Sequence, residues 1–228
     1  MNTRSEEIAT ALADVQERIA KSIAAAGRNE SEVTLIAVTK THPASDVEIL
    51  RNLGIENFGE NRSDEGLEKS ELIPATWHFQ GQVQGRKLKD IARWATYIHS
   101  IDSSDHISKL SRICSENGRS ISIFLQLSLD GAPDRGGVLA HELPELADQI
   151  LADSNLQLAG MMCVPPVEYE FNRAFTEISK IHSGFKSRYP DAAGLSAGMS
   201  SDFEVAISYG ATHLRIGSEI LGSRTYHP

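Results

Sequence analysis

Apolar residues fall at Ile8, Leu12, Val15, Ile19 and Ile23, a spacing of four and three that predicts one buried stripe on an amphipathic helix from about residue 3 to about residue 26. Gly27 is placed to end it. The pattern then changes period. Val33 to Val38 is an unbroken run of β-branched and apolar residues, as expected of a strand covered on both faces and running to Val38 or Thr39. Pro43 opens a helix carrying Val47, Leu50 and Leu53, which Gly54 closes.

The same alternation repeats to the end of the chain. Ile55–Phe58 reads as a second strand, followed by a polar helix to about Ile73. Ala75–Phe79 and Tyr97–Ile101 read as the third and fourth strands, separated by a helix face of Leu88, Ile91, Ala92 and Ala95; Asp102 or Ser103 is placed to cap the next helix. Ile121–Leu127 is the fifth strand, and the glycine-bearing loop Asp130–Gly137 follows it. A helix through Leu143, Leu146 and Ile150, a sixth strand at Leu156–Val164, and a helix striped by Phe171, Phe175, Ile178 and Phe185 come next. Gly194–Ala197, a short helix at Ser200–Tyr209 and a strand at Thr212–Ile216 complete the pattern.

Eight strands, each followed by a helical segment and with no Ser/Pro-rich linker between them, predict an α/β fold: one (β/α)8 TIM barrel over residues 1–228, with an extra N-terminal helix covering one end. An open doubly wound sheet is the runner-up, since it would need no closure after the eighth strand.

Composition narrows the function classes. A formal charge of −9 on 228 residues argues against nucleic-acid binding, which needs a clustered basic surface. The basic run Arg86-Lys87-Leu88-Lys89 reads as the solvated face of a helix. Cys114 and Cys163 make neither a CxxC pair nor a metal-ligand cluster, so neither a disulfide framework nor a metal site is expected. The N-terminus lacks the apolar core of a signal peptide, and no apolar run reaches the length of a membrane span. A cytoplasmic protein with no membrane partner is expected, acting as a monomer or weak dimer.

Candidate chemistry begins at Lys40, which follows the first strand at its carboxyl end, where ligands of α/β sheets bind. A lysine amine that is desolvated or set beside other cations loses its proton readily and condenses with aldehydes; the alternative is a solvated strand-end lysine. The last third adds Ala197-Gly198-Met199-Ser200-Ser201-Asp202 after the seventh strand and Arg215-Ile216-Gly217-Ser218 after the eighth. Loops at these two places in a barrel commonly bind phosphate, because free amides at a helix start meet the anion there. An amine and a phosphate cradle in one ring point to a phosphorylated aldehyde, with pyridoxal 5′-phosphate (PLP) the obvious candidate.

The segments Ala37-Val38-Thr39-Lys40, Phe58-Gly59-Glu60-Asn61, Trp77-His78-Phe79 with Gly81, Leu195-Ser196 with Gly198-Met199-Ser200, Asp202, Glu204, and Arg215-Ile216-Gly217 occur in this order over nearly the whole chain. In them the chain resembles the pyridoxal phosphate homeostasis protein family, a stand-alone barrel similar to the PLP-binding N-terminal domain of alanine racemases. The resemblance implies that Lys40 forms the internal aldimine with PLP, that Ser200 and the amides of Gly217 and Ser218 hold the phosphate, and that Arg215 faces the pyridine nitrogen. It also implies that Asn61 lies near the cofactor ring, with His78 and Met199 close to the pocket; His78 reads equally well as a core histidine with satisfied hydrogen bonds. Three positions depart from the family pattern: Gln80 replaces an apolar residue, Arg86 an asparagine, and Arg135 a lysine. A guanidinium stays protonated, so Arg135 cannot serve as a second Schiff-base amine.

A permanent charge opposite the ring nitrogen disfavours its protonation and weakens the cofactor as an electron sink. Racemisation would further need acid–base groups on both faces of the substrate carbon, and neither Tyr97 nor Tyr209 sits at a predicted strand end facing the site. The reading that follows is a carrier or regulator with no strong catalysis, holding PLP on Lys40, passing it to PLP-dependent apo-enzymes and, as the resemblance implies, influencing vitamin B6 and amino-acid pools. A weak PLP-dependent amino-acid racemase is the alternative. A cofactor-free sugar-phosphate barrel with Lys40 as an aldolase-type amine is the third.

Overall fold

The computed structural model describes residues 3–132 and 135–222, so Pro133 and Asp134 of the expected loop lie outside the described residues. Eight parallel strands close into a barrel in chain order: β1 (Thr34–Val38), β2 (Asn57–Glu60), β3 (Thr76–Phe79), β4 (Tyr97–Ile101), β5 (Ile121–Leu127), β6 (Leu156–Cys163), β7 (Gly194–Ser196) and β8 (His213–Ile216). Closure is carried by β1 against β8, paired from Thr34 and His213 through Ala37 and Ile216. That ladder rules out the open sheet.

The helices are α1 (Thr3–Ala25), α2 (Ala44–Asn52), α3 (Ser63–Leu72), α4 (Leu88–Trp94), α5 (Ser104–Asn117), α6 (Leu143–Leu151), α7 (Phe171–Arg188), α8 (Phe203–Ser208) and α9 (Ser218–Leu221). α1 buries the stripe read from its spacing, Ile8 through Ile23, but packs against α2, α8 and α9. It therefore joins the outer ring where α8 and α9 are short, rather than covering a barrel end as expected. Two arginines fasten it there. Arg4 Nη2 donates to Asp46 Oδ2 at 2.7 Å and to the Leu221 carbonyl at 2.9 Å, and Arg18 Nη2 meets Glu204 Oε1 at 2.6 Å.

Strand side chains alternate between the helix layer and the barrel interior. Outward residues make the larger apolar core: Phe58 and Trp77 pack with ring centroids 5.4 Å apart, and Phe79 meets Trp94 at 6.1 Å. The interior is filled by aromatic and imidazole rings, several of them bearing polar atoms. His78 stacks on Tyr97 at 4.7 Å, His99 stacks on Phe124 at 4.4 Å, and Phe124 meets His213 edge-on at 4.9 Å. Between these layers Gly160 is obligatory, because at φ +152° an added Cβ would lie 1.9 Å from the Gly194 carbonyl oxygen. The β5–β6 register slips between Ile123 and Phe124, where Phe124 comes to face Gly160. Only a residue without a side chain allows β6 and β7 to pair there.

Helix starts differ from expectation at one place that matters. Ser200 and Ser201 lie in a turn and α8 begins at Phe203, because the Asp202 carboxylate accepts the Met199 amide at 2.6 Å and holds the chain in a turn first. Of the two expected caps of α5, Ser103 takes the N-cap position, while Asp102 accepts the Gly137 amide at 2.9 Å and ties down the loop after β5. A 3-10 turn at Glu30–Glu32 was not foreseen.

Candidate functional site

Lys40 follows β1 in a segment that is held from below. The buried Glu60 Oε1 accepts the Thr39 hydroxyl at 2.6 Å and the Lys69 ammonium at 2.6 Å, and Lys69 also donates to the Thr39 carbonyl at 2.8 Å. Burial pushes the Glu60 carboxyl above its usual range, while Lys69 and Thr39 pull it back. On the other side of Lys40, Thr41 adopts φ +67°, a strained conformation for a β-branched residue. Its amide donates to Glu65 Oε2 at 2.7 Å, which helps hold that strain in place. The lysine is thus bracketed by two fixed residues.

A cavity of about 410 Å³ opens beside it at the carboxyl ends of the strands, within the size range of small-molecule sites. Lys40, Asn61, Met199, Ser200, Arg215, Gly217 and Ser218 all line it, so seven of the eight expected residues come together. Ser218 Oγ donates to Ser200 Oγ at 3.1 Å, joining the loops after β7 and β8 into one polar wall. Gly217 is set where a Cβ would come within 2.9 Å of the Val38 carbonyl oxygen, so the β8–α9 turn can press against β1 only as glycine. The first amides of α9 have no acceptor inside the helix, as at any helix start.

Arg215 is the cavity's buried cation. Its Nη1 donates to Ser196 Oγ at 2.7 Å and its Nη2 to the Cys163 carbonyl at 3.2 Å. Burial pulls the guanidinium down to about 10, which still leaves it charged at neutral pH.

His78 is the eighth expected residue and does not line the cavity. It lies inside the barrel, 1% exposed, bonded through Nδ1 to His99 Nε2 at 2.9 Å and through Nε2 to Asn57 Oδ1 at 3.0 Å. The reason is strand geometry: inward side chains recur every second residue, and Gln80, one step nearer the carboxyl end, takes the rim position. The core-histidine alternative describes its place.

The family described as "Alanine racemase, N-terminal domain" matches residues 12–225. A pyridoxal phosphate homeostasis protein of Corynebacterium glutamicum is 39% identical over 218 residues, covering 92% of this chain and 99% of its own. Another, from Mycobacterium tuberculosis strain H37Rv, is 37% identical, with 97% and 94% covered. The chain belongs to the pyridoxal phosphate homeostasis protein family. Among solved structures, PipY of Synechococcus elongatus PCC7942 with PLP bound superposes with a TM-score of 0.78 at 31% identity, over 94% of this chain and 100% of that one.

Several lining residues were assigned no role from the sequence. Val38, His42, Met162, Val164 and Ser201 complete the wall, and Gln80, noted only as a departure from the family pattern, contributes a buried amide nitrogen without a hydrogen-bond partner among the described residues. The inward alternation of β1 and β6 was signal enough for Val38, Met162 and Val164. Arg135 also acts near the site: its Nη2 donates to the Val164 carbonyl at 2.6 Å, bracing the loop after β5 against β6. Ser196, quoted only within a family motif, bonds Arg215 directly, and His99 backs Ser196; their pairing carried no signal because they stand 97 residues apart.

Proposed function

We propose that this cavity binds PLP, with Lys40 holding the aldehyde carbon as a Schiff base and the protein serving as a PLP carrier or regulator. The observation that carries the reading is that one cavity is lined both by the Lys40 amine and by the Ser200, Gly217 and Ser218 wall, so a single small molecule can span them. When bound, PLP supplies an electrophilic aldehyde that condenses with an amine. Ser200 and Ser218 offer hydroxyl donors to its phosphate, and Gly217 leaves room for the anion to approach backbone amides. Arg215, which lines the same cavity, would offer a donor to the ring nitrogen and, being charged, would disfavour a proton on that atom. The PLP-bound PipY and the names of the curated relatives support the same ligand.

Carriage is favoured over catalysis by what lines the cavity. Racemisation needs a proton donor and acceptor on opposite faces of the substrate carbon. The lining offers Lys40 and His42 as such groups, and both rise from the single segment after β1. No tyrosine lines it among the described residues, since Tyr97 is stacked inside the barrel and Tyr209 packs on Phe175 outside it.

Purified protein loaded with PLP should be yellow, and borohydride should bleach the colour and fix one pyridoxyl group to Lys40 by peptide mass. Lys40→Ala should lose the colour while retaining weak noncovalent binding through the phosphate wall. Fixation at another lysine, or unchanged colour in the variant, overturns the assignment. Release of PLP to an added apo-enzyme, with no turnover of a panel of amino acids, separates the carrier from the racemase.

A further inference from the structure

Four hydrogen bonds run in series through the barrel interior, from the cavity cation on β8 to Asn57 at the start of β2. Arg215 Nη1 reaches Ser196 Oγ at 2.7 Å, Ser196 Oγ lies 2.8 Å from His99 Nδ1, His99 Nε2 lies 2.9 Å from His78 Nδ1, and His78 Nε2 lies 3.0 Å from Asn57 Oδ1. Each histidine is stacked on one aromatic ring, His78 on Tyr97 and His99 on Phe124.

The direction of every proton follows from the far end. Asn57 Oδ1 can only accept, so His78 must carry its hydrogen on Nε2. A neutral imidazole has one N–H; His78 Nδ1 is then bare and accepts, which places the hydrogen of His99 on its Nε2. His99 Nδ1 is bare in turn and accepts the Ser196 hydroxyl proton. Ser196 is left with lone pairs alone for Arg215. Both rings are kept neutral by burial, with the neighbouring ring and Arg215 opposing a proton on His99 and His213 opposing one on His78.

We infer that His99, His78 and Asn57 are positioning residues for Arg215: they fix Ser196 as a pure acceptor, so the guanidinium is held in one orientation toward the cavity by a residue two imidazoles away. Without the Asn57 acceptor, both rings can reverse tautomer. His99 would then donate to Ser196, which must hold two donors at once and turn its own hydroxyl proton elsewhere. This inference rests on the proposal that Arg215 faces the ring of PLP, and it explains why a histidine outside the cavity belongs to the site's machinery.

The test uses the full chain with 15N-labelled histidine, and two variants, Asn57→Leu, which removes the acceptor, and Asn57→Asp, which restores one. In the wild type, the imidazole 15N shifts of His78 and His99 should show Nε2–H tautomers for both rings, with and without PLP. Asn57→Leu should show mixed or reversed tautomers, a PLP dissociation constant raised about three- to tenfold, the loss of one neutral hydrogen bond's worth, and a moved ring-nitrogen shift of 15N-labelled PLP. Asn57→Asp should return all three toward wild type. An Nδ1–H tautomer on either ring of the wild type overturns the inference, whether or not a variant folds. So does an Asn57→Leu protein that binds PLP with unchanged affinity and ring-nitrogen shift. If the wild type fails to bind PLP, the functional reading falls, while the tautomers still report on the network by themselves.

Discussion

Lys69 and Glu60 form an ion pair at 2.6 Å inside the protein, 6% and 0% exposed at their side chains, directly beneath the segment that carries Lys40. Both partners also bond Thr39, Lys69 through its carbonyl and Glu60 through its hydroxyl, so the pair is less a source of stability than a fixture for the neighbouring residue. A buried pair gains little over an apolar substitute of the same volume, yet breaking one half of it is costly.

Lys69→Met is therefore expected to destabilise the fold by about 3–5 kcal/mol, because it strands the Glu60 carboxyl without its cation. Adding Glu60→Gln should recover a large part of that loss. Urea unfolding of the two single variants and the double variant measures it, and additive losses would show that the pair does not act as a unit.

Ser200→Ala should weaken PLP retention by roughly 1.5–3 kcal/mol, one hydrogen bond to a charged group. Gly217→Ala should weaken it more, since its Cβ would meet the Val38 carbonyl oxygen at 2.9 Å and force β8 away from β1 at the cavity wall. Equilibrium dialysis ranks the two, and a milder effect for Gly217→Ala would show that the turn does not depend on that close approach.

Acid should unfold the protein through its interior histidines. Burial holds His78 at about 3 and His213 at about 4, and holds His99 well below its ordinary value, while an imidazole in the unfolded chain takes up its proton near 6.5. The unfolded state binds more protons in that window, so stability that is complete above pH 6.5 falls as pH drops toward 4, by about 1.4 kcal/mol per pH unit for each histidine. Urea midpoints at pH 7, 5.5 and 4.5 read the slope, and His213→Gln should make it shallower by one histidine's share.

The two thiols should be silent in the native protein. Burial pushes Cys114 up to about 11 and Cys163 up to about 12, and both side chains are inaccessible. A thiol-labelling reagent should count none under native conditions and both after denaturation in urea; rapid native labelling of either would contradict the buried placement.

Much of the barrel was legible along the chain because its signals are local. The stripe from Ile8 to Ile23, the run ending at Val38 and the glycines that stop the helices each report on a few turns of backbone, and they specified eight strand-and-helix units in order. Lys40, Ser200 and Gly217 were also readable, since in a barrel residues past a strand end lie on the ligand-binding rim, whereas Arg215, inside β8, was pointed to by the family resemblance. Boundaries were less secure where a side chain redirected the backbone, as Asp202 does in delaying α8 to Phe203.

What only the tertiary structure decided is which polar groups face one another once water is gone. Nothing near His78 in sequence says that its neighbours are His99 and Asn57. The Lys69–Glu60 pair and the series from Arg215 to Asn57 arise because closing the barrel buries these groups together, where each must find a partner or carry the cost of desolvation. Periodicity along a chain encodes which face is covered; the pairing of charges and protons inside is set by distances between strands that the chain crosses far apart.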